Sequence, residues 1–386
     1  MAKVSVKAHP ELARPAAPYA HVVRVGNLVF VSGGGGRDRD GRVAAGDIQA
    51  QGRQLLENIR VALASVGAAP GDVTRVTLYF RDIRQKPDLD RLRDEFFGPD
   101  WPAGVAVGVT SLASPEYLVE MDAVAVLGVP KVAIRRVKGL WDPVAPYSRV
   151  VRAGDVVFMS GIVGADEQLN PVSPGDVERQ FGRLLENCRL ALEAAGAKPQ
   201  DVVRVTLYMT DIREKPRLDR LREEFFGPDW PAGVAVGVPA LAAPGLRVEM
   251  DAIAVIGAGK MAVRRVPGLW DPAAPYSRVV RSGKLVFISG IVGADRNLNV
   301  VGAGDIETQF RQLLENARVA LAAVGARPED VVRVTLYMLD LREKARLDAL
   351  HEDFFGPEWP AGVAVGVTAL GAPGFRVEMD AVAVVG

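Results

Sequence analysis

Trp230-Pro231-Ala232-Gly233-Val234-Ala235-Val236-Gly237-Val238 is written three times in this chain, with the other copies beginning at Trp101 and Trp359. Both spacings are 129 residues. An acidic strand follows each copy: Val119-Glu120-Met121-Asp122-Ala123, Val248-Glu249-Met250-Asp251-Ala252 and Val377-Glu378-Met379-Asp380-Ala381. A period this long is a whole domain, not a solenoid unit of about 20–50 residues. The 386 residues therefore divide into units 1–129, 130–258 and 259–386. The joins, Gly128-Val129-Pro130-Lys131 and Gly257-Ala258-Gly259-Lys260, are short and rich in turn residues. Short joins favour repeats packed face to face over beads on a string.

Within the second unit, Lys131 to Val137 alternates as a strand does, and Ser148 to Arg152 and Val156 to Ser160 flank Ala153-Gly154-Asp155 as a hairpin. Asp176 caps a helix whose apolar face runs through Val177, Phe181, Leu184, Leu185, Cys188, Leu192 and Ala195, and Gly196 stops it. Val202 to Met209 is a strand, and Pro216 opens a second helix. Two strands follow, over about Gly233 to Val238 and Leu246 to Val255. The order β-ββ-α-β-α-ββ predicts an α+β unit with helices on one face of a sheet. Three such sheets can close around a common axis, giving a central barrel-like core with helices outside.

Composition excludes several classes. Lys plus Arg and Asp plus Glu number 47 each, and a zero net charge argues against general binding to nucleic acid. No apolar run is long enough for a membrane helix, and Met-Ala-Lys-Val-Ser-Val-Lys lacks the apolar core of a signal peptide. The single cysteine, Cys188, forms no intrachain disulfide and reads as a packed helical residue. A cytoplasmic location is the expectation. Three scattered histidines and one cysteine build no usual zinc site, and no nucleotide-binding glycine motif stands in the right context, so no metal and no cofactor are expected.

Repeat one departs from the others. Ala13-Arg14-Pro15 stands where they have Trp141-Asp142-Pro143 and Trp270-Asp271-Pro272, and Ser32-Gly33-Gly34-Gly35-Gly36 where they have Ser-Gly-Ile-Val. The four glycines read as a flexible loop, or as a mobile pocket rim or anion cradle.

The succession Ala145-Pro146-Tyr147, Ser160-Gly161, Gln180-x-x-x-Leu184-Leu185-Glu186-Asn187, Asp201-Val202-Val203-Arg204-Val205-Thr206-Leu207-Tyr208, Glu224-Phe225-Phe226-Gly227, Pro231-Ala232 and Val248-Glu249-Met250-Asp251 resembles the YjgF/RidA reactive-intermediate deaminase family. The resemblance covers nearly every repeat end to end. It implies a chorismate-mutase-like fold in each repeat. It also implies a covalent pseudo-trimer, monomeric in solution, with three small-molecule pockets between repeats. Family members of the deaminase type hydrolyse imines and enamines. The family's pocket tyrosine falls on Tyr19, Tyr147 and Tyr276, its pocket glutamate on Glu120, Glu249 and Glu378, and its polar residue before Phe-Phe on Asp90, Asp219 and Asp348. The family's arginine after Pro-Ala is replaced by Gly104, Gly233 and Gly362. A guanidinium holds a substrate carboxylate by two parallel hydrogen bonds, whereas glycine offers one backbone N–H and an empty volume.

Other cations are candidates for that charge. Arg149 and Arg278 lie two residues after the pocket tyrosines, with His21 in repeat one, and Arg247 and Arg376 lie two residues before the glutamates, with Leu118 in repeat one. Either arginine set also reads as solvated or ion-paired, and His21 as a surface or satisfied residue. Glu and Asp alternate around Met in the last strand, so both carboxylates share a face, either for acid–base work or with the Asp held by a structural arginine. The tryptophans before Pro-Ala line a pocket or pack at the repeat junctions. Without the arginine, at least one pocket glutamate is expected to titrate above its free value of about 4.3, with Glu120 the first candidate. The function expected is hydrolysis or rearrangement of an imine or enamine, though not the standard imino-acid reaction. The alternative is a non-catalytic binding or structural pseudo-trimer.

Overall fold

The computed structural model describes residues 3–386. Repeat one consists of β1 (Lys3–Val6), β2 (Val22–Val25), β3 (Leu28–Gly34), α1 (Ile48–Ala64), β4 (Val73–Phe80), α2 (Asp90–Phe97), β5 (Ala103–Gly108) and β6 (Val119–Val126). Repeat two consists of β7 (Lys131–Ile134), β8 (Val150–Ala153), β9 (Val156–Val163), α3 (Val177–Ala194), β10 (Val202–Met209), α4 (Asp219–Phe226), β11 (Ala232–Gly237) and β12 (Val248–Val255). Repeat three consists of β13 (Met261–Val263), β14 (Val279–Ser282), β15 (Leu285–Val292), α5 (Ile306–Ala322), β16 (Val331–Met338), α6 (Asp348–Phe355), β17 (Ala361–Gly366) and β18 (Val377–Val384).

Each repeat forms one six-stranded sheet, ordered β1-β2-β3-β6-β4-β5 in repeat one and equivalently in the others. The last strand of the repeat lies at the centre, antiparallel to both neighbours, and only the β4–β5 type of pair is parallel. The expected α+β order is therefore observed. One detail differs. Pro216 does not open the second helix but lies inside a 3-10 turn, Ile212–Leu218, that begins at the Asp211 cap and runs straight into α4.

The helices cover one face of each sheet. Asp176 accepts hydrogen bonds from the N–H groups of Glu178 and Arg179, as an N-cap should. The Gln and Asn of the helix motif are buried ties: Gln180 accepts from the Arg247 N–H at 2.9 Å, and Asn187 donates to the carbonyls of Val163 and Ala165 at 3.0 Å. These bonds lock α3 to the ends of β9 and β12, where the site residues stand.

On their other faces the three sheets touch one another in a ring, β5 against β9, β11 against β15, and β17 against β3. Single parallel bridges stitch the junctions, Ala103 to Ser148, Ala232 to Ser277 and Ala361 to Ala20. An apolar axial core draws Phe30, Phe158, Phe287, Val124, Ile253 and Val382 from all three repeats. A ring of buried charges lies beside it. Arg75 donates to Asp251 at 2.8 Å, Arg204 to Asp380 at 2.5 Å and Arg333 to Asp122 at 3.0 Å, so every pair crosses a junction. The phenols of Tyr79, Tyr208 and Tyr337 lie 3.3–3.4 Å from the Asp of their own repeat. Asp122, Asp251 and Asp380 are thus structural partners of arginine and not the second acid of a catalytic pair. The tryptophans before Pro-Ala also act at junctions. Trp101 stacks under Arg135, Trp230 under Arg264 and Trp359 under Lys7, each cation coming from the following repeat.

Among the described residues no helix is long and apolar enough to cross a membrane.

Candidate functional site

The glutamates of the central strands stand at the sheet junctions. Burial raises Glu120 to about 7, with Asp122 raising it further and the Ala113 N–H, 3.4 Å away, opposing. Burial raises Glu378 to about 7, with the Gly371 N–H and the Lys215 ammonium opposing. Burial raises Glu249 to about 8, because Asp251 adds to the effect and Oε2 has no hydrogen-bond partner in the protein. All three carboxyls, Glu120 included, are thus pushed above the free value, and Glu249 alone has no backbone donor to oppose its burial. The first glycine of each Ser-Gly pair makes room for the carboxyl. A Cβ at Gly33, Gly161 or Gly290 would strike Oε1 of Glu120, Glu249 or Glu378.

The serines of these pairs bridge the junctions. Ser160 accepts from the Gly104 N–H, Ser289 from Gly233 and Ser32 from Gly362, each at 2.8 Å. The backbone donors of the three glycines are therefore committed to the fold and are not free for a ligand. The volume their missing side chains leave is occupied at two junctions by cations that the sequence reading did not single out. A Cβ at Gly104 would lie 3.9 Å from Arg93 Nη2, and one at Gly233 would lie 3.6 Å from Arg222 Nη2. Arg93 and Arg222 are buried, bonded to Asp90 and Asp219 at 3.1 Å. The signal was present as a stripe at i, i+4, i+8: Leu218, at the end of the 3-10 turn, is buried like Arg222 and Phe226 of α4. In repeat three the same stripe carries His351, held neutral by burial with a pKa of about 3. Lysines Lys86, Lys215 and Lys344 were also missed. Lys215 lines the pocket of Glu378, and its own pKa falls to about 8 through burial and the neighbouring Arg222.

The other candidate cations take different places. Arg247 and Arg376 pair with Glu214 and Glu343 at 2.5 and 2.6 Å, partly in solvent, and leave the glutamates alone. Arg149 and Arg278 are fully buried. Their guanidinium carbons lie 4.2 and 4.1 Å from the rings of Trp141 and Trp270 and 5.3 and 5.2 Å from Tyr147 and Tyr276. Each donates to the carbonyl of its tryptophan, at 2.7 and 2.9 Å. They are wedges between an indole and a phenol.

Repeat one lacks this wedge. Its junction with repeat three encloses about 430 Å³, bounded by Tyr19, His21, Glu120, Lys344, His351 and Gly362 among others. The junction of repeats two and three, bounded by Trp270, Tyr276, Lys215 and Glu378, encloses about 130 Å³. His21 is partly buried: burial lowers its pKa against the opposing hydrogen bond to the Ala13 backbone, and Nε2 has no partner in the protein. The four glycines are not a loose loop either. Gly33 and Gly34 end β3, and Gly35 lies under the ring of Tyr117, where any Cβ would collide. Arg37 Nε donates to the Tyr117 hydroxyl at 3.2 Å. Burial raises the pKa of Tyr19, with Tyr117 and Glu120 adding and Arg37 opposing, so these four groups share one end of the cavity. Among the described residues no group of three His, Cys, Asp or Glu is placed to hold a metal ion.

The architecture is thus a threefold-repeated α+β protein with a buried glutamate and a tyrosine at each sheet junction. The chain belongs to the endoribonuclease L-PSP family, whose model matches residues 11–127, 139–256 and 269–385, so the YjgF/RidA resemblance holds in every repeat. A RutC family protein of Pyrococcus abyssi is 38% identical over 112 residues, which are 29% of this chain and 87% of the relative. The 2-iminobutanoate/2-iminopropanoate deaminase of Dermatophagoides farinae is 33% identical over 115 residues, 30% of this chain and 89% of that one. A solved chorismatase superposes with a TM-score of 0.56 over 82% of this chain and 94% of its own, at 13% identity, a likeness of fold alone.

Proposed function

We propose that the chain is a covalent pseudo-trimer of units 1–129, 130–258 and 259–386, monomeric in solution. Its inter-repeat pockets take a small metabolite and hydrolyse or rearrange an imine or enamine. The observation that supports this best is a buried carboxyl with a pKa near neutral, Glu120, facing a cavity beside Tyr19. A protonated carboxyl donates to the carbon of an enamine or the nitrogen of an imine, and the resulting carboxylate accepts a proton from the attacking water. The carboxyl then returns that proton to the nitrogen of the adduct, the C–N bond breaks, and the carboxylate takes the hydroxyl proton, leaving a carbonyl compound, ammonia and the carboxyl protonated as at the start. Family membership supports the reaction class, and the deaminase among the relatives points the same way. The wedges of Arg149 and Arg278 leave little room beside Glu249 and Glu378, which favours the structural alternative at those two junctions.

The standard imino acids are poor substrates on this reading. Gly362 replaces the arginine that would clamp their carboxylate, and neither Arg93 nor Arg222 has a counterpart in repeat three, where His351 stands. Freshly generated 2-iminobutanoate is expected to be hydrolysed at least a hundredfold more slowly than by an arginine-containing relative, measured by trapping the keto acid. Equal rates would sink the arginine argument. Light scattering is expected to give the mass of one chain, 41.3 kDa. A stable trimer of whole chains would contradict the closed pseudo-trimer.

A further inference from the structure

The three junctions differ in what fills them. At two of them an indole, a guanidinium and a phenol stack in series, Trp141-Arg149-Tyr147 and Trp270-Arg278-Tyr276. At the third, Ala13 replaces the indole and His21 the guanidinium, and the cavity there is more than three times the volume of its measured counterpart. The glycines extend the change. Val163 and Val292 pack in the apolar core, while Gly35 in their place lets the Tyr117 ring lie flat on the backbone, where repeats two and three have Leu246 and Phe375. Arg37 stands where they have Ala165 and Ala294. One junction has therefore exchanged a plug for a lined chamber, through several residues that only make sense together.

We infer that the chain carries a single working ligand site, between repeats three and one, and that its ligand is a ring-sized carboxylic acid. This presupposes the metabolite-pocket reading above and narrows it. The chamber, at about 430 Å³, falls in the range of about 300–1,000 Å³ that suits such ligands, and the plugged junction at about 130 Å³ does not. Its inner wall is apolar: Leu55, Ile59 and Ala62 of α1 face Val334, Leu336 and Val363 of repeat three. That wall takes a ring. Its other end carries Tyr19, Tyr117, Arg37 and Glu120. Lys344 is held by Asp348 at 2.5 Å and Arg342 by Asp340 at 2.7 Å, both committed. Arg37 is half-buried, and among the described residues it makes no ion pair within 4.0 Å; its side chain hydrogen-bonds only the neutral Tyr117 phenol, with the Glu116 carboxylate acting on it from farther off. A guanidinium so placed accepts a carboxylate on its remaining N–H groups. It stands in the loop after β3, not on β17 where Gly362 replaces the family's arginine.

The test is calorimetric titration of the intact chain with phenylpyruvate, 4-hydroxybenzoate and indole-3-acetate. At least one is expected to bind saturably with a stoichiometry of one per chain. Combining Ala13→Trp with His21→Arg rebuilds the plug and should weaken that binding at least tenfold. Arg37→Gln should do the same, and this half-exposed position keeps the test open if the double variant fails to fold by circular dichroism. A stoichiometry of three, no saturable binding by any of the three acids, or unchanged affinity in folded variants would each overturn the inference. The titration reads no turnover. A chain that binds one acid and converts no imine keeps the single site and loses the catalytic proposal; three equal sites with turnover would do the reverse.

Discussion

Arg204→Met is expected to lower the stability of the folded chain by about 3–5 kcal/mol, the usual cost of removing one partner from a buried ion pair. Arg204 bonds Asp380 of the next repeat at 2.5 Å and lies 3.5 Å from Asp251 of its own. All three side chains are buried, so the methionine leaves Asp380 with a charge and no solvent to hold it. The cation of Arg333 is 4.0 Å from the other oxygen of Asp380, too far to take over both roles. Adding Asp380→Leu removes the orphaned charge, and the remaining two arginines and two aspartates are again neutral. The double variant should therefore regain a large part of the loss, which an exposed pair such as Arg91–Glu95 cannot imitate: Arg91→Ala should leave the unfolding midpoint almost unchanged. Guanidinium midpoints for the four proteins decide the matter. If Arg204→Met unfolds no earlier than Arg91→Ala, the charge ring does not hold the repeats together.

This ring also marks where the sequence stopped being informative. The repeat, the strand from Val202 to Met209 and the Asp176 cap were legible because each depends on residues close in the chain. Arg204 sits in the middle of a fully buried strand, a local anomaly that only a distant partner explains. That partner is 176 residues away, and no spacing rule reaches it. The pocket glutamates were legible through their place in an alternating strand, and their raised pKa followed from burial first and from the aspartate two residues on. Arg93 and Arg222 were not, because a charged residue in a short polar helix reads as solvent-facing unless its Leu and Phe neighbours at i−4 and i+4 are weighed. Arg149 and Arg278 were placed on the correct strand face, but whether a guanidinium there binds a ligand or wedges between rings depends on Trp141 and Trp270, which arrive from a preceding loop. The chamber itself needed the coordinates. Ala13, His21, Gly35, Arg37 and Tyr117 are each unremarkable alone; together with repeat three they enclose one space.

Glu120→Gln is expected to reduce turnover by about 10²–10⁴-fold, the range a positioned proton donor supplies. Glu249→Gln and Glu378→Gln should change it by less than about threefold, a margin chosen well below that range, since their junctions are plugged. Glutamine keeps the shape of the side chain and cannot exchange a proton, so substrate affinity should survive while kcat falls. The pH dependence has a definite sign. Glu120 acts as a donor in its protonated form, and burial places its ionisation at about 7. In the free enzyme kcat/KM should therefore be flat on the acid side and fall as pH rises through about 7, and Glu120→Gln should lose that limb. Unfolding cannot mimic the loss. The folded pKa of Glu120 lies above its unfolded value of about 4.3, so its favourable contribution to stability is complete below that value and is lost as pH rises through about 7. Above neutrality the ionised glutamate strains the fold and glutamine relieves it, so the variant should be no less stable than the parent at pH 8. A Glu120→Gln protein that is folded, stable and fully active would exclude this carboxyl as the acid. An unchanged pH limb would assign that ionisation to another group.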